Sequence, residues 1–265
     1  PMVASMLFQA LYNIVDSVLH GNKSIVLRAY ANGDIHVTNF TKTSGVFGDT
    51  GTDLDSEVKT DDEVLISGSQ IYTDKQGQDI SVVAQDKLTG GTKGYAEMTA
   101  ALAGGVGTDV TNNMERKNII NISGNSKLHS LRDINLYANR DEHGKDGLME
   151  WQLRSVLFCG SLISTGASTS LDNSMKQYNQ VVVGKDAATE SIRHTNIYAA
   201  SGRESIISEK GEYKQSMFTS DSADTEYVST TAGGNSIRES CLTHRSTVAS
   251  ANGVTAFGPI RNFAL

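Results

Sequence analysis

The sequence contains little proline, little cysteine and no run of positive charge. Its 265 residues include 2 prolines, 2 cysteines and 1 tryptophan, and 23 Lys plus Arg stand against 30 Asp plus Glu, a formal net charge of -7. Because no Lys/Arg-rich run is present to contact phosphates, we expect no nucleic-acid partner. With so few prolines, turns must be made by the 25 glycines and by Asn, Asp and Ser.

The cysteines and the apolar segments exclude further types of site. Cys159 and Cys241 lie far apart and lack the spacing of a metal or catalytic site, so we interpret both as small buried hydrophobic side chains and not as a disulfide. No segment is long and apolar enough for a transmembrane span, and the first 20 residues lack the basic region of an export signal. The chain starts at Pro1 and ends abruptly, which suggests a segment of a longer polypeptide.

The sequence repeats itself with a period of 56 to 61 residues. Shifted by 61 positions, residues 105–138 match residues 166–199 without a gap at 10 of 34 positions. Shifted by 56 positions, residues 51–53 match residues 107–109. A period of this size is typical of solenoids and stacked arrays, whose core grows along one axis.

This repeat predicts an all-β solenoid of parallel strands that follows a short helix. Apolar residues at i, i+3 and i+4 spacing predict an amphipathic helix within residues 1–22, which would cap the array or dock onto a neighbour. The array would occupy residues 23–265, with a degenerate remainder after its repeat units. The units are about 44–100, 101–160 and 161–220.

Short strands are predicted to alternate with polar connections. Runs of four to seven residues rich in Ile, Val, Leu and Tyr predict the strands, whereas residues 41–62 are polar and acidic and residues 89–113 are rich in Gly, Ala and Thr. Because a coil of a common solenoid has about 20 residues, we expect two or three coils in each unit. Roughly a dozen coils, each about 4.8 Å above the last, would make a rod on the order of 60 Å long.

The repeated residues predict structural roles. Ala84, Ala138 and Ala199 are expected to point inward where the coil is narrow, while Tyr137 and Tyr198 point outward and stack. Recurrent asparagines are expected at corners, because Asn tolerates the left-handed conformation and can hydrogen-bond to the next coil as a ladder. The pairs are Asn112 with Asn173, Asn118 with Asn179, and Asn135 with Asn196.

The acidic tract 49–63 contains the candidate metal ligands. Asp53, Asp55, Asp61 and Asp62 could bind Ca²⁺ through hard oxygen atoms. The tract lacks the glycine-punctuated spacing of a dedicated calcium loop, so solvated surface charge is the alternative. We expect no other cofactor.

Residues 133–138 (Asp-Ile-Asn-Leu-Tyr-Ala) carry a family resemblance, together with weaker copies at 79–84 and 195–199. With the Gly/Ala/Ser/Thr runs that precede them, they resemble repeats of the filamentous haemagglutinins and leukotoxin-like filamentous adhesins, exported by Gram-negative bacteria through type V secretion. The resemblance covers about residues 24–250. It implies a right-handed parallel β-helix, secreted or on the cell surface. Such a segment would be an extended, non-catalytic scaffold within its parent polypeptide, attaching to a glycan or protein of a host or bacterial surface.

Two other functions stay open. A carbohydrate-active β-helix enzyme would need convergent carboxylates beside a basic residue on one outward face, and the loop 139–147 offers acidic candidates. A structural stalk or surface-layer element would need only the array, with residues 1–20 as its cap or docking segment. The six histidines share no zinc spacing and no Gly-x-Ser-x-Gly elbow occurs, which excludes the common hydrolase sites.

Overall fold

The structure is a computed structural model that describes most of the chain. The described residues are 2–160, 163–199, 203–216, 223–233, 238–239, 246–250, 254–256 and 260–262, with side chains described for 2–100, 102–158, 160 and 168–199. They form strands joined by turns, and this part of the chain contains no helix, hence none that could cross a membrane. The strands are β1 (Met2–Val15), β2 (Val18–Gly21), β3 (Ile25–Ser67), β4 (Gln70–Thr73), β5 (Ile80–Ser123), β6 (Lys127–Ser130), β7 (Asp133–Ala138), β8 (Leu148–Gly160), β9 (Ile163–Val183), β10 (Ala188–Ser191), β11 (His194–Ala199), β12 (Arg203–Ser216), β13 (Ala223–Gly233), β14 (Arg238–Glu239), β15 (Ser246–Ser250), β16 (Val254–Ala256) and β17 (Ile260–Asn262).

The fold is all-β and its named strands pair in parallel, within a 12-stranded and a 5-stranded sheet. The register gives the distance along the chain from one layer to the next. Met2 pairs with Leu54 and Gly105 with Gly166, which are offsets of 52 and 61 residues. The chain therefore forms a solenoid-like stack in which each layer lies on the preceding one.

One layer consists of two long segments and one short strand. Within β3, the bend is marked by a hydrogen bond of 2.9 Å between the Thr43 and Thr50 hydroxyls and by one of 3.0 Å from Asn39 to the Asp53 carbonyl. We call residues before this bend the first long segment and residues after it the second. Their inward side chains meet to form the core, and β2, β4, β6 and β10 make up the short sheet with β17.

The residues that the sequence repeat aligns are the residues that pair between adjacent strands. Residues 105–122 pair one to one with 166–183, as the 61-residue shift aligns them. The expectation of two or three coils per unit is wrong, because both long segments belong to a single large layer. One described column runs through five layers, about 19 Å at the usual strand spacing. Its members are Ala29, Ala84, Ala138, Ala199 and Ser250.

The helix predicted within residues 1–22 is wrong, because β1 pairs with β3 along all 14 of its residues. The even-numbered residues of β1 from Met2 to Ile14 are all apolar, which is the period of two expected for a strand with one face on the core. The other face also carries an apolar residue at every fourth position, namely at Val3, Leu7 and Leu11. This second set produced the helical spacing.

The polar segments 41–62 and 89–113 are strands and not connections, so β3 and β5 reach 43 and 44 residues. Inward and outward residues alternate through most of both strands. The alternation was not visible in the sequence because many inward positions hold Thr, Ser or Asn, whose polar groups are hydrogen-bonded inside the stack. Pairing with the neighbouring layers therefore overrides the low strand propensity of these segments.

Candidate functional site

Four carboxylates on the outward faces of three layers form what we call the carboxylate group. It consists of Asp53, Asp55, Asp109 and Asp172. Asp109 pairs in register with Asp53, and Asp172 pairs with Thr111, the partner of Asp55. Burial, followed by repulsion from Asp172, Asp53 and Asp55, raises the pKa of Asp109. Asp109 can therefore take up a proton more readily than an isolated aspartate.

The structure does not bring the four predicted calcium ligands together. Asp53 and Asp55 belong to the carboxylate group, while Asp61 lies six residues farther along the same strand, about 20 Å away. Asp61 instead accepts a hydrogen bond of 3.3 Å from Gln9. Asp62 points inward and is 0% exposed. Among the described side chains, no three His, Cys, Asp or Glu residues are placed to hold a metal ion.

The predicted alanines and asparagines lie in register, each on its counterpart in the next layer. Ala84, Ala138 and Ala199 are 0% exposed and stack directly on one another. Each Asn pair is joined by a side-chain hydrogen bond between amide groups. The distances are 2.7 Å from Asn112 to Asn173, 2.9 Å from Asn118 to Asn179 and 2.9 Å from Asn196 to Asn135.

These asparagines lie within strands and not at corners. The first two pairs face the interior, whereas Asn135 and Asn196 lie on the outward side. The left-handed corner conformation is adopted by other non-glycine residues, namely Asp16, Asn125 and Asn139, with φ of 48°, 61° and 60°. The expectation of corner positions for the repeated asparagines is therefore wrong, although amide pairs between layers do occur.

An arginine–aspartate clamp between layers was missed by the sequence reasoning. Arg132 donates to Asp79 with Nε–Oδ1 at 2.6 Å, and Arg193 of the next layer donates to Asp133 with Nη2–Oδ2 at 2.7 Å. The same aspartates accept the backbone N–H groups of Asp133 and His194, both at 3.1 Å. The identity of Arg132 and Arg193 in the 61-residue repeat was the available signal. The clamps join the starts of β7 and β11, each to the layer before it.

Several outward aromatic rings contact rings of the adjacent layers. In the short sheet, His20 lies 5.1 Å from Tyr72 between ring centroids, and Tyr72 lies 6.2 Å from His129. Tyr137 meets Tyr198 edge to face at 6.5 Å, so this outward pair is in contact but does not form the predicted stack. Because these faces are turned toward neighbouring rings, they are poorly placed to stack on a sugar.

The remaining sequence candidates take structural positions. Trp151 is 1% exposed and donates a hydrogen bond of 3.2 Å to the Thr92 hydroxyl, as a packing residue would. In the loop 139–147, Asp146 accepts from Arg140 at 2.6 Å, and Glu142 is paired with Arg28. Cys241 and the side chain of Cys159 lie outside the described residues.

The outward face of β1 differs from the layer beneath it. β1 contains no charged residue, and Val3, Leu7 and Leu11 on its outward face are 71%, 61% and 51% exposed. The strand segment that pairs with it carries outward charges at alternate positions. These are Asp55, Glu57, Lys59, Asp61 and Glu63.

The arrangement offers three kinds of chemistry: contacts between layers, proton uptake by Asp109 of the carboxylate group, and an uncharged strand edge at β1. Comparisons with protein-family models, with curated proteins and with solved structures found no match.

Proposed function

We propose that this chain is a right-handed parallel β-helix that serves as an extended, non-catalytic scaffold segment of an exported bacterial filamentous adhesin. In this function the stack is secreted or held at the cell surface. It presents its outward side chains to a glycan or protein of a host or bacterial surface. Attachment then depends on many weak contacts along the faces of the stack.

The observation that carries this proposal is the column of like residues through successive layers. Where residues 105–122 pair with 166–183, interior Asn stacks on Asn and Met114 on Met175, while the outward residues beside them vary. Interior columns of this kind support a repetitive rod whose surface is free to diverge. A right-handed winding is favoured because nearly all connections between parallel strands of one sheet have that hand.

The attachment proposal is tested by a binding array of immobilised glycans and matrix proteins. We expect saturable binding of the 265-residue chain to at least one of them, and its loss when the chain is denatured by heat. Binding that is no stronger than that of the denatured chain across both arrays would contradict attachment. That result would favour the structural stalk.

A carbohydrate-active enzyme is the second candidate, favoured by the carboxylate group. Asp109 has the raised pKa that suits a general acid, and its neighbours Asp53 and Asp172 lie on adjacent layers. The test is incubation with uronic-acid polymers and measurement of new reducing ends. If the chain is this enzyme, Asp109→Asn abolishes the activity and Asp61→Asn, which changes an outward carboxylate away from the group, preserves it. No new reducing ends from the unaltered chain would exclude this activity on these polymers.

A further inference from the structure

The interior of the stack contains a cluster of charged side chains that the scaffold function does not require. Asp62 and Asp86 are 0% exposed and Arg116 is 1% exposed. Other described Asp, Glu, Lys and Arg side chains have more of their surface in contact with solvent. Two carboxyl groups therefore share the interior with one guanidinium group.

Arg116 forms an ion pair with Asp86. It donates two hydrogen bonds, Nε to Oδ2 at 2.8 Å and Nη2 to Oδ1 at 2.5 Å. Thr60 and Asn118 donate to the same carboxylate at 2.7 and 3.3 Å. Burial alone would raise the pKa of Asp86, but the charge of Arg116 and these hydrogen bonds outweigh it and hold that pKa below its usual value. Asp86 is the ionised partner of Arg116.

Asp62 has no comparable partner. Neither of its carboxyl oxygens has a hydrogen bond of normal geometry. A carboxylate left in this state would carry an uncompensated charge in the interior, which is among the costliest arrangements in a folded protein. Protonation removes the charge and supplies a hydrogen-bond donor.

An acceptor for that donor is present in the next layer. Asp62 pairs in register with Asn118, whose Oδ1 is buried and has no hydrogen-bond partner. The orientation of the Asn118 amide is fixed, because its Nδ2 donates to Asn179 at 2.9 Å and to Asp86 at 3.3 Å. Asn112 and Asn173 show that side chains stacked in adjacent layers reach each other, at 2.7 Å.

We propose that Asp62 is a proton-binding site inside the stack, held as a neutral carboxylic acid whose O–H donates to Oδ1 of Asn118. The ladder then runs from Asp62 to Asn118 to Asn179, with the Asp62 O–H and the Asn118 Nδ2 each donating to the layer that follows. The proton satisfies two buried atoms, one on Asp62 and one on Asn118. Among the described side chains, it also leaves the interior cluster with one negative charge, on Asp86, and one positive charge, on Arg116.

The electrostatic surroundings of Asp62 agree with this assignment. Burial, followed by repulsion from Asp86 and Asp61, raises the pKa of Asp62 to about 9, against smaller opposing effects of the Ala31 backbone N–H and Arg116. On the same strand, Asp61 and Glu63 point outward. The strand above brings no charge, because β1 places Ala10 over Asp62 and contains no charged residue.

The stability of the fold is then linked to pH through this single group. The unfolded chain releases the proton near the ordinary Asp pKa of 3.8, while the folded chain holds it to about pH 9. Unfolding within this window releases a proton, so the contribution of Asp62 is full below the lower value and is lost as pH rises through the upper one. The folding equilibrium constant falls by about tenfold per pH unit from this group alone. Ionised Asp62 would also lie directly beneath β1 and would loosen the contact between these two layers.

The test compares the pH dependence of unfolding in the unaltered chain and in Asp62→Asn, by urea titration from pH 5 to 9. An asparagine at this position can donate to Asn118 without a proton that titrates. We expect the ratio of the two folding constants to shift in favour of Asp62→Asn by about tenfold per pH unit. The control Glu63→Gln, which changes the other outward neighbour, should keep the pH dependence of the unaltered chain.

An equal pH dependence in Asp62→Asn and the unaltered chain would overturn the proposal. A second measurement serves if Asp62→Asn does not fold. Infrared spectroscopy of the unaltered chain at pH 7 should show the carbonyl band of one neutral carboxyl group, which disappears on unfolding at the same pH. A spectrum at pH 7 with only carboxylate bands would equally contradict a protonated Asp62.

Discussion

The interior of the stack has apolar columns and polar columns, and the two kinds contribute differently to stability and to register. The column Ile14, Ile66, Ile122 and Val183 is buried and gains stability from apolar area alone. A shift of the layers by two residues would still place aliphatic side chains on one another. The polar columns have no such tolerance, because the same shift would separate Asn112 from Asn173 and Asn118 from Asn179 in the next layer. We infer that apolar columns supply most of the stability, whereas polar columns select the register.

The largest effect is expected from breaking the interior ion pair. Arg116→Met leaves Asp86 as a buried anion without its cation, at a cost of about 3–5 kcal/mol in the free energy of unfolding, measured by urea titration. The double variant Arg116→Met with Asp86→Leu removes both charges and should recover a large part of that loss. A single variant that costs less than about 1 kcal/mol, or a double variant with no recovery, would contradict a polar cluster that acts through charge pairing.

A smaller effect is expected from the amide column. Asn112 donates to Asn173 at 2.7 Å and accepts from Ser56 at 2.8 Å, so Asn112→Ala leaves buried polar atoms without these partners. We expect a loss of about 1–3 kcal/mol in thermal or urea unfolding. The matched control is Asn113→Ala, an exposed neighbour on the same strand, which should stay within about 0.5 kcal/mol. Equal losses in the two variants would show that burial of the amide is not what matters.

The apolar column is tested by removing one methylene group from it. Ile122 is 0% exposed and lies between Ile66 and Val183 in adjacent layers. Ile122→Val should cost about 0.5–1.5 kcal/mol and leave the pH dependence of unfolding unchanged. If this variant altered the pH dependence, the apolar and polar columns would be coupled, and the division between them would fail.

The smallest effect is expected on the outward face. Lys59 lies 2.7 Å from Glu57, and both side chains are exposed, at 41% and 44%. Lys59→Ala should leave the free energy of unfolding close to that of the unaltered chain, because solvent screens exposed pairs. Urea titrations at low and high salt should show that the small effect vanishes in high salt. A loss as large as that of Asn112→Ala would show that surface charge also fixes the layers.

The register was predictable from the sequence, because residues that stack on one another are repeated in it. Gly105 with Gly166 and Asn112 with Asn173 could be aligned without any structure. The size of a layer was not predictable in the same way. The sequence gives the step between equivalent residues, but the fold decides whether the step is one large turn or several small ones.

The candidate sites were less predictable, for reasons that lie in the strand geometry. Asp61 and Asp62 are adjacent, so in a strand they point to opposite faces, and only a correct assignment of 41–62 as strand would have separated them. The pairing of Asp86 with Arg116 crosses the interior between residues that no repeat relates. The clamps were missed for another reason. The repeat matched Arg132 with Arg193 and Asp79 with Asp133, but matching like residues does not show that each arginine contacts an aspartate of the preceding layer.

The equality of one sequence repeat and one layer has a consequence for how such a chain can change in length. A tandem duplication of a single repeat would add one complete turn, and each residue of the copy would meet its own counterpart above and below. The new turn would lengthen the rod by about 4.8 Å, with every strand of the added layer complete. Each repeat added to the gene would therefore add one whole layer to the rod.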